Sequence, residues 1–295
     1  MRAPLSVAYF GLPLGALLLA ADGHRLELVA SCRRRAPGAR RAARLFGDRY
    51  LVRPDAGDPA LARRVRASGA RLLVSWFWTK RLPPALLAAC PLGAVGVHPS
   101  LLPRHRGPDP YYWTIRCGDA VAGVSAHRLA DEYDTGAVLG RRELAVDPSW
   151  NAWQLARALD RPSLALLREV VGRFAAGDPP PEEPQDESLA THAPEPDDEE
   201  TALRFARPTS EVLRQVRALA PSPGALVEIA GESVAVTRVE PAPSFPAALA
   251  PAEAALVGGR AVVRTADGAV ALLEGEVEGR VLGPEGLAAL VARAG

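Results

Sequence analysis

The stretch VGVHPSLLPRHRGPDP, residues 95–110, joins an apolar run to a rigid basic loop through one histidine. Ala94–His98 has the length and composition of a short buried strand. That puts His98 at the carboxyl end of a strand, where open α/β sheets place their ligand crevices. Pro99, Pro103, Pro108 and Pro110 fix φ along the loop and reduce the entropy lost on ordering it. Arg104 and Arg106 supply charge for an anionic group, and Gly107 allows a tight approach. A capped strand end followed by a surface turn accounts for the same residues equally well.

On the amino-terminal side, apolar runs alternate with helical patterns. Leu5–Phe10, Leu26–Ser31 and Arg71–Trp76 read as strands, and Leu14–Ala21, Pro59–Ser68 and Pro84–Ala89 as helices. Gly11 and Pro13 split the first apolar run. A strand, a turn and a helix therefore fit it better than an export signal. Beyond the loop, Val121–Arg128 alternates like a half-exposed strand. Asn151–Asp160 and Ser163–Phe174 read as helices broken at Pro162. Strands alternating with helices predict an α/β domain over residues 1–177, a doubly wound, Rossmann-like, mainly parallel sheet.

Residues 178–200, DPPPEEPQDESLATHAPEPDDEE, hold six prolines and ten acidic residues. The composition predicts an extended, solvated linker, with boundaries at 178–204. Residues 205–295 read as a second domain. Helices are expected at Ser210–Ala218 and Pro284–Arg293. Strands are expected at Ala225–Ile229, Ser233–Glu240, Arg260–Arg264 and Val270–Glu274, the last two joined by the turn 266-ADG-268. Short strands with little helix suggest a small open, OB-like β-barrel.

Composition narrows the class. The net charge is +1, so it argues neither for nor against nucleic acid. Cys32, Cys90 and Cys117 are scattered without paired spacing, which fits reduced thiols in the cytoplasm and neither a disulfide nor a zinc framework. No apolar run reaches the roughly 20 residues of a membrane span.

A second constellation lies at 131-DEYDTGAVL-139, where Asp131, Glu132 and Asp134 precede a Thr-Gly break. Asp134 follows His98 by 36 residues. A carboxylate at a neighbouring strand edge would orient the imidazole. His24, His105, His127 and His192 show no such partner and read as surface or structural residues.

HPSLLPRHRGPDP, GVSAHR and DEYDTGAVL together resemble the signature of the formyltransferases that use 10-formyltetrahydrofolate. The FGLP segment and 215-QVRALAPSPGA-225 extend the similarity to both domains. The resemblance implies a catalytic Asn–His–Asp trio at the carboxyl edge of the sheet, with His98 and Asp134 as two members. It implies a folate cleft shaped by Ser100, Leu101, Leu102, Pro103, Arg106 and Gly107. Asp131, Glu132 and Tyr133 would meet the pterin opposite Val74, Trp76 and Phe77. The donor would be 10-formyltetrahydrofolate, and no metal is implied.

This chain departs from the pattern at one place. The asparagine expected two residues before the histidine is Gly96, and 93-GAVGVH-98 contains no asparagine. Loss of one oxyanion donor costs ~10²–10³ in rate. Three readings follow: formyl transfer with a substitute donor, transfer to another acceptor, or a folate-binding scaffold without turnover. The acceptor is read as a small amine such as an amino sugar, with initiator tRNA as the alternative. The arginine-rich segment 33–44 reads as a basic surface loop, shorter than its counterpart in tRNA-specific members. The runs 76-WFW-78 and 111-YYW-113 read as pocket walls or as core.

Overall fold

The structure is a computed structural model that describes residues 4–294. In chain order the first elements are β1 (Ser6–Gly11), α1 (Pro13–Ala21), β2 (Arg25–Ser31), α2 (Ala39–Phe46), β3 (Tyr50–Val52), α3 (Pro59–Ala67), β4 (Leu72–Trp76), α4 (Pro84–Leu87) and β5 (Ala94–His98). They are followed by α5 (Pro110–Cys117), β6 (Val121–Arg128), β7 (Val138–Ala145) and α6 (Ala152–Ala175). The chain forms two compact units. One runs to Pro108 and takes up 122–144 and 158–192; the other holds 109–121, 145–157 and the chain from Ala193 onward.

The first unit is built on a seven-stranded sheet of order β3-β2-β1-β4-β5-β6-β7. The pairs from β3 through β5 are parallel, and β5 meets β6 antiparallel. This is the expected doubly wound, mainly parallel α/β sheet. The chain winds outward from β1 in one direction and from β4 in the other, which opens a crevice at the carboxyl ends of the central strands. Tyr9, Phe10, Leu72, Leu73 and Val74 are closed to solvent, because parallel strands are covered by helices on both faces.

The amino-terminal apolar run folds as strand, turn and helix. Gly11 (φ +146°) ends β1 so close to β4 that a Cβ there would lie 1.8 Å from the Trp76 carbonyl oxygen. Leu12 N–H donates to that same carbonyl at 3.1 Å, and Pro13 then opens α1, where its missing N–H costs nothing.

Three expectations change. The helix expected to break at Pro162 is one element, α6, with Pro162 inside it. The buried side chains of Leu159, Ser163, Leu166, Val170 and Phe174 recur every three or four residues. Burial of that stripe outweighs the loss of one backbone hydrogen bond at the proline. The strand β6 is buried from Ala122 to His127 and not half-exposed. Its small and polar residues face other groups of the protein instead of water: Ser125 Oγ donates to Ser100 O at 2.8 Å and accepts from Leu102 N at 3.0 Å. A further helix, α5, occupies part of the Pro-rich stretch. Asp109 caps it by accepting from Tyr112 N at 3.1 Å, and Pro110 stands in its first turn.

The chain from Ala193 contributes α7 (Asp198–Thr201), α8 (Thr209–Leu219), β8 (Ala225–Ile229), β9 (Glu232–Pro241), β10 (Ala254–Val257), β11 (Arg260–Arg264), β12 (Ala269–Val277), β13 (Arg280–Leu282) and α9 (Pro284–Ala294). The strands form a curled antiparallel sheet of order β10-β11-β12-β9-β8, with β13 beside β12. The expected turn at 266–268 joins β11 to β12, with Thr265 N donating to Gly268 O at 2.9 Å. Strands β10 and β13 have three or four residues, too short for a period-two pattern to stand out.

A side chain at Gly11 collides with backbone, which cannot move as a rotamer can. Gly11→Ala is therefore expected to destabilise the first unit by about 3 kcal/mol. The urea midpoint of the variant against the parent checks this, and an unchanged midpoint contradicts it.

Candidate functional site

Strand periodicity selects the residues that meet at the edge of the sheet. Side chains two apart share a face, so Gly96 and His98 on β5 lie on one side with Ser125 and His127 on β6. The antiparallel register makes Gly96 and His127 direct partners, and His98 and Ser125 the next pair. Asp134 reaches this face from the loop after β6. Its Oδ2 lies 3.4 Å from His98 Nδ1, and its Oδ1 lies 3.5 Å from His127 Nε2. Gly107 N–H donates to Oδ2 at 2.9 Å.

The histidines are oriented by backbone on their other sides. His98 Nε2 donates to His105 O at 2.8 Å, and His127 Nδ1 donates to Arg128 O at 2.8 Å. A carbonyl only accepts, so each of these nitrogens carries a proton. Both remaining ring nitrogens face the one carboxylate. Burial pushes His127 below the ordinary histidine range, with the Asp134 charge opposing that shift. Of the five histidines, sequence reasoning paired only His98 with Asp134. The signal for His127 was its two-residue spacing from Ser125 on a strand next to β5, which needed the register to be read.

Backbone strain gathers here. Phe77 (φ 55°), His105 (φ 60°) and Asp134 (φ 59°) hold left-handed conformations without being glycine. Such residues cost about 1–3 kcal/mol each and persist where the surroundings enforce them. Gly136 closes the Asp134 loop under a similar constraint, since a Cβ there would lie 2.0 Å from Arg128 O.

The residues expected to line a folate cleft divide by exposure. Leu101, Pro103, Gly107 and Phe77 are half-buried, while Asp131, Glu132 and Tyr133 are exposed and available to a ligand. Val74, Trp76, Ser100, Leu102 and Arg106 have buried side chains. Trp76 Nε1 donates to Ser163 Oγ at 2.9 Å, and Ser100 Oγ donates to Arg104 O at 2.6 Å. These residues shape the site from beneath. Arg106, expected to offer charge to an anion, is 4% exposed. It forms a two-pronged pair with Glu187, both contacts at 2.8 Å, and donates twice to Gln185 Oε1. The pairing raises the Arg106 pKa and holds the Glu187 carboxyl below its ordinary range.

The space beside Gly96 is filled. A Cβ built there would meet Leu129 Cδ2 at 2.8 Å, with Ser75 O at 3.6 Å. Leu129, two residues beyond His127, is packed against the apolar core. An apolar group thus stands where the resemblance expects an amide. In the aromatic runs Trp76 and Tyr112 are buried and the other four residues half-buried: Trp76 meets Phe77 edge-on at 4.8 Å, and Phe10 meets Trp78 at 5.3 Å. Arg33, Arg34, Arg35, Arg40, Arg41 and Arg44 are exposed. Among the described residues, no group of three or more His, Cys, Asp or Glu is arranged to hold a metal ion, and no helix is long and apolar enough to cross a membrane.

Comparison with known proteins adds independent information. The family model described as "Formyl transferase" matches residues 30–171, and "Formyl transferase, C-terminal domain" matches 197–283. The methionyl-tRNA formyltransferase of Solibacter usitatus is 34% identical over 217 residues, covering 73% of this chain and 68% of that protein. That of Phenylobacterium zucineum is 36% identical over 228 residues, 77% of this chain and 73% of that protein. Among solved structures, HypX from Aquifex aeolicus in complex with tetrahydrofolic acid superposes with a TM-score of 0.67 at 19% identity. The match spans 96% of this chain and 46% of HypX. WlaRD, a sugar 3N-formyl transferase solved in the presence of dTDP and 5-N-formyl-THF, superposes with a TM-score of 0.68 at 11% identity, over 94% and 98% of the two chains.

Burial of His127 has a consequence for stability. Its folded pKa lies below the unfolded value of about 6.5, so below that pH the unfolded chain binds the extra proton first. This contribution to stability is present above about pH 6.5 and is lost as pH falls further. His127→Gln is expected to flatten the acid limb of a plot of unfolding midpoint against pH, and an equally steep limb contradicts the assignment.

Proposed function

This chain belongs to the formyl transferase family, and on that premise we propose that it transfers a formyl group from 10-formyltetrahydrofolate to a primary amine. The observation that carries the reading is the Asp134 carboxylate facing His98 at 3.4 Å at the carboxyl end of β5. The half-buried residues around it, Phe77, Leu101 and Pro103, and the exposed 131–133 loop fit the donor's cleft. Folate ligands in the HypX and WlaRD structures support the same class of donor.

In the proposed reaction the amine lone pair attacks the formyl carbon, and the carbonyl π pair moves to oxygen. His98, oriented by Asp134, donates from Nε2 to the oxyanion. The His105 carbonyl now occupied by that N–H fixes the direction in which Nε2 points. Collapse breaks the bond from carbon to the folate nitrogen. That nitrogen leaves with the electron pair and takes a proton, while the new amide nitrogen gives one up.

The acceptor we favour is a small amine such as an amino sugar. WlaRD, similar in fold over 94% of this chain, is named for that chemistry. The exposed arginines of 33–44 lie on a short loop and on α2, the ordinary face of a surface helix. The second reading, methionyl-tRNA, is supported by the names of the relatives at 34–36% identity. We read the curled carboxyl-terminal sheet as an OB-like barrel and the cysteines Cys32, Cys90 and Cys117, which form no disulfide, as those of a cytoplasmic protein.

Release of tetrahydrofolate tests the reading. Turnover is expected with amino-sugar nucleotides and is to be compared with initiator methionyl-tRNA; donor binding without turnover on any acceptor would favour a scaffold. His98→Ala is expected to abolish release. Gly96→Asn alone should lower activity because Leu129 blocks the new side chain. Gly96→Asn with Leu129→Ala should exceed the parent by up to ~10² in kcat, the worth of one oxyanion donor. A double variant no faster than the parent would show that the glycine serves another purpose.

A further inference from the structure

The acidic segment between the family-matched regions, whose composition reads as a solvated linker, is bound to the rest of the chain along 183–192. Glu183 exchanges backbone hydrogen bonds with Val138 at 2.8 and 2.9 Å. Further along, Thr191 O accepts from Arg106 N at 2.9 Å, and Thr191 Oγ1 accepts from His105 N at 2.8 Å. The strap formed by 183–192 therefore lies along both loops that carry the catalytic candidates.

Gln185 is the centre of that contact. Its Nε2 donates to Asp134 O at 2.7 Å and to Gly136 O at 2.7 Å. Its Oε1 accepts from Arg106 Nε at 3.1 Å and Nη2 at 2.8 Å. A guanidinium has donors only, so it dictates which end of the amide it meets. The amide nitrogen must then face the loop carbonyls. Arg106 is closed to water and is neutralised by Glu187, which keeps this polarity at low cost. The ring of contacts closes through the neighbour of Arg106: Gly107 N–H donates to the Asp134 carboxylate.

We infer that Gln185 is a positioning residue, which holds Asp134 in its left-handed conformation and so aims one carboxylate at both His98 and His127. Arg106 and Glu187 set the direction of the Gln185 amide and do not bind the substrate. These two contacts hold the backbone on either side of Thr135, while Gly107 N–H holds the carboxylate itself. Loss of the amide donors would let the loop relax from φ 59° toward ordinary values and turn the carboxylate away. An error of about 1 Å in such a group costs ~10² in rate.

The test uses the full chain carrying Gln185→Glu or Gln185→Met. The first keeps an acceptor for Arg106 and loses both donors; the second keeps the length and loses all polarity. Spectra of 15N-labelled histidine report which ring nitrogens carry protons, with or without turnover. The signals of His98 and His127 are expected to shift in both variants, while that of His24 stays. The second arm rests on the formyl-transfer reading: kcat for tetrahydrofolate release should fall ~10²-fold with KM for 10-formyltetrahydrofolate unchanged. Unchanged His98 and His127 signals would overturn the inference, as would a fall confined to KM. Loss of all five histidine signals through unfolding would also overturn it, making Gln185 a residue of general stability. If the parent releases no tetrahydrofolate with any amine, the formyl-transfer reading fails and the spectra alone decide the role of Gln185.

Discussion

A buried guanidinium must find its acceptors inside the protein, and Arg106 finds them on a segment 81 residues further along the chain. That pairing ties the proline-rich loop after β5 to the strap. The strap in turn holds the loop of Asp134. Three pieces of chain are thus fixed relative to one another by side-chain hydrogen bonds, added to the backbone pairs of Arg106 with Thr191 and of Val138 with Glu183. Removing either member of the Arg106–Glu187 pair would strand a charge or open the loop, and this makes the contact more than an exposed ion pair. The other ion pairs of the strap, Glu182 with Arg128 and Glu183 with Arg141, use guanidiniums that are 25% and 29% exposed, against 5% for Arg106. Those pairs add little by comparison.

The site inherits its geometry from this frame and its chemistry from the sheet. β5 and β6 run antiparallel, so a two-residue period places His98 and His127 on one face with a carboxylate in front of both. Each imidazole is held on its far side by a backbone carbonyl, so neither is free to turn. The arrangement has the strained loops and convergent polar groups expected of a working site. It lacks a side-chain amide at Gly96, and Leu129 occupies the room where one would stand. The His98–Asp134 pair therefore stands beside an apolar wall, a combination that sets this chain apart from the pattern its sequence resembles.

The alternation of short apolar runs with helical patterns determined the doubly wound sheet, because burial on both faces leaves a continuous apolar signal that needs no partner to be read. The strand Ala94–His98 and the loop that follows it determined where the histidine would stand. The DTG break determined which acid could reach it. What lay beyond the sequence was pairing. A period of two tells which residues share a face but not which strand lies alongside, so His127 and Leu129 became visible only with the register of β5 against β6. Composition showed that 178–200 would be extended, but Gln185 and Glu187 find their partners 51 and 81 residues away, at separations for which local pattern carries no information. Tertiary structure alone decided that Arg106 points at the strap, because a guanidinium buried from water takes whichever acceptors the fold brings to it.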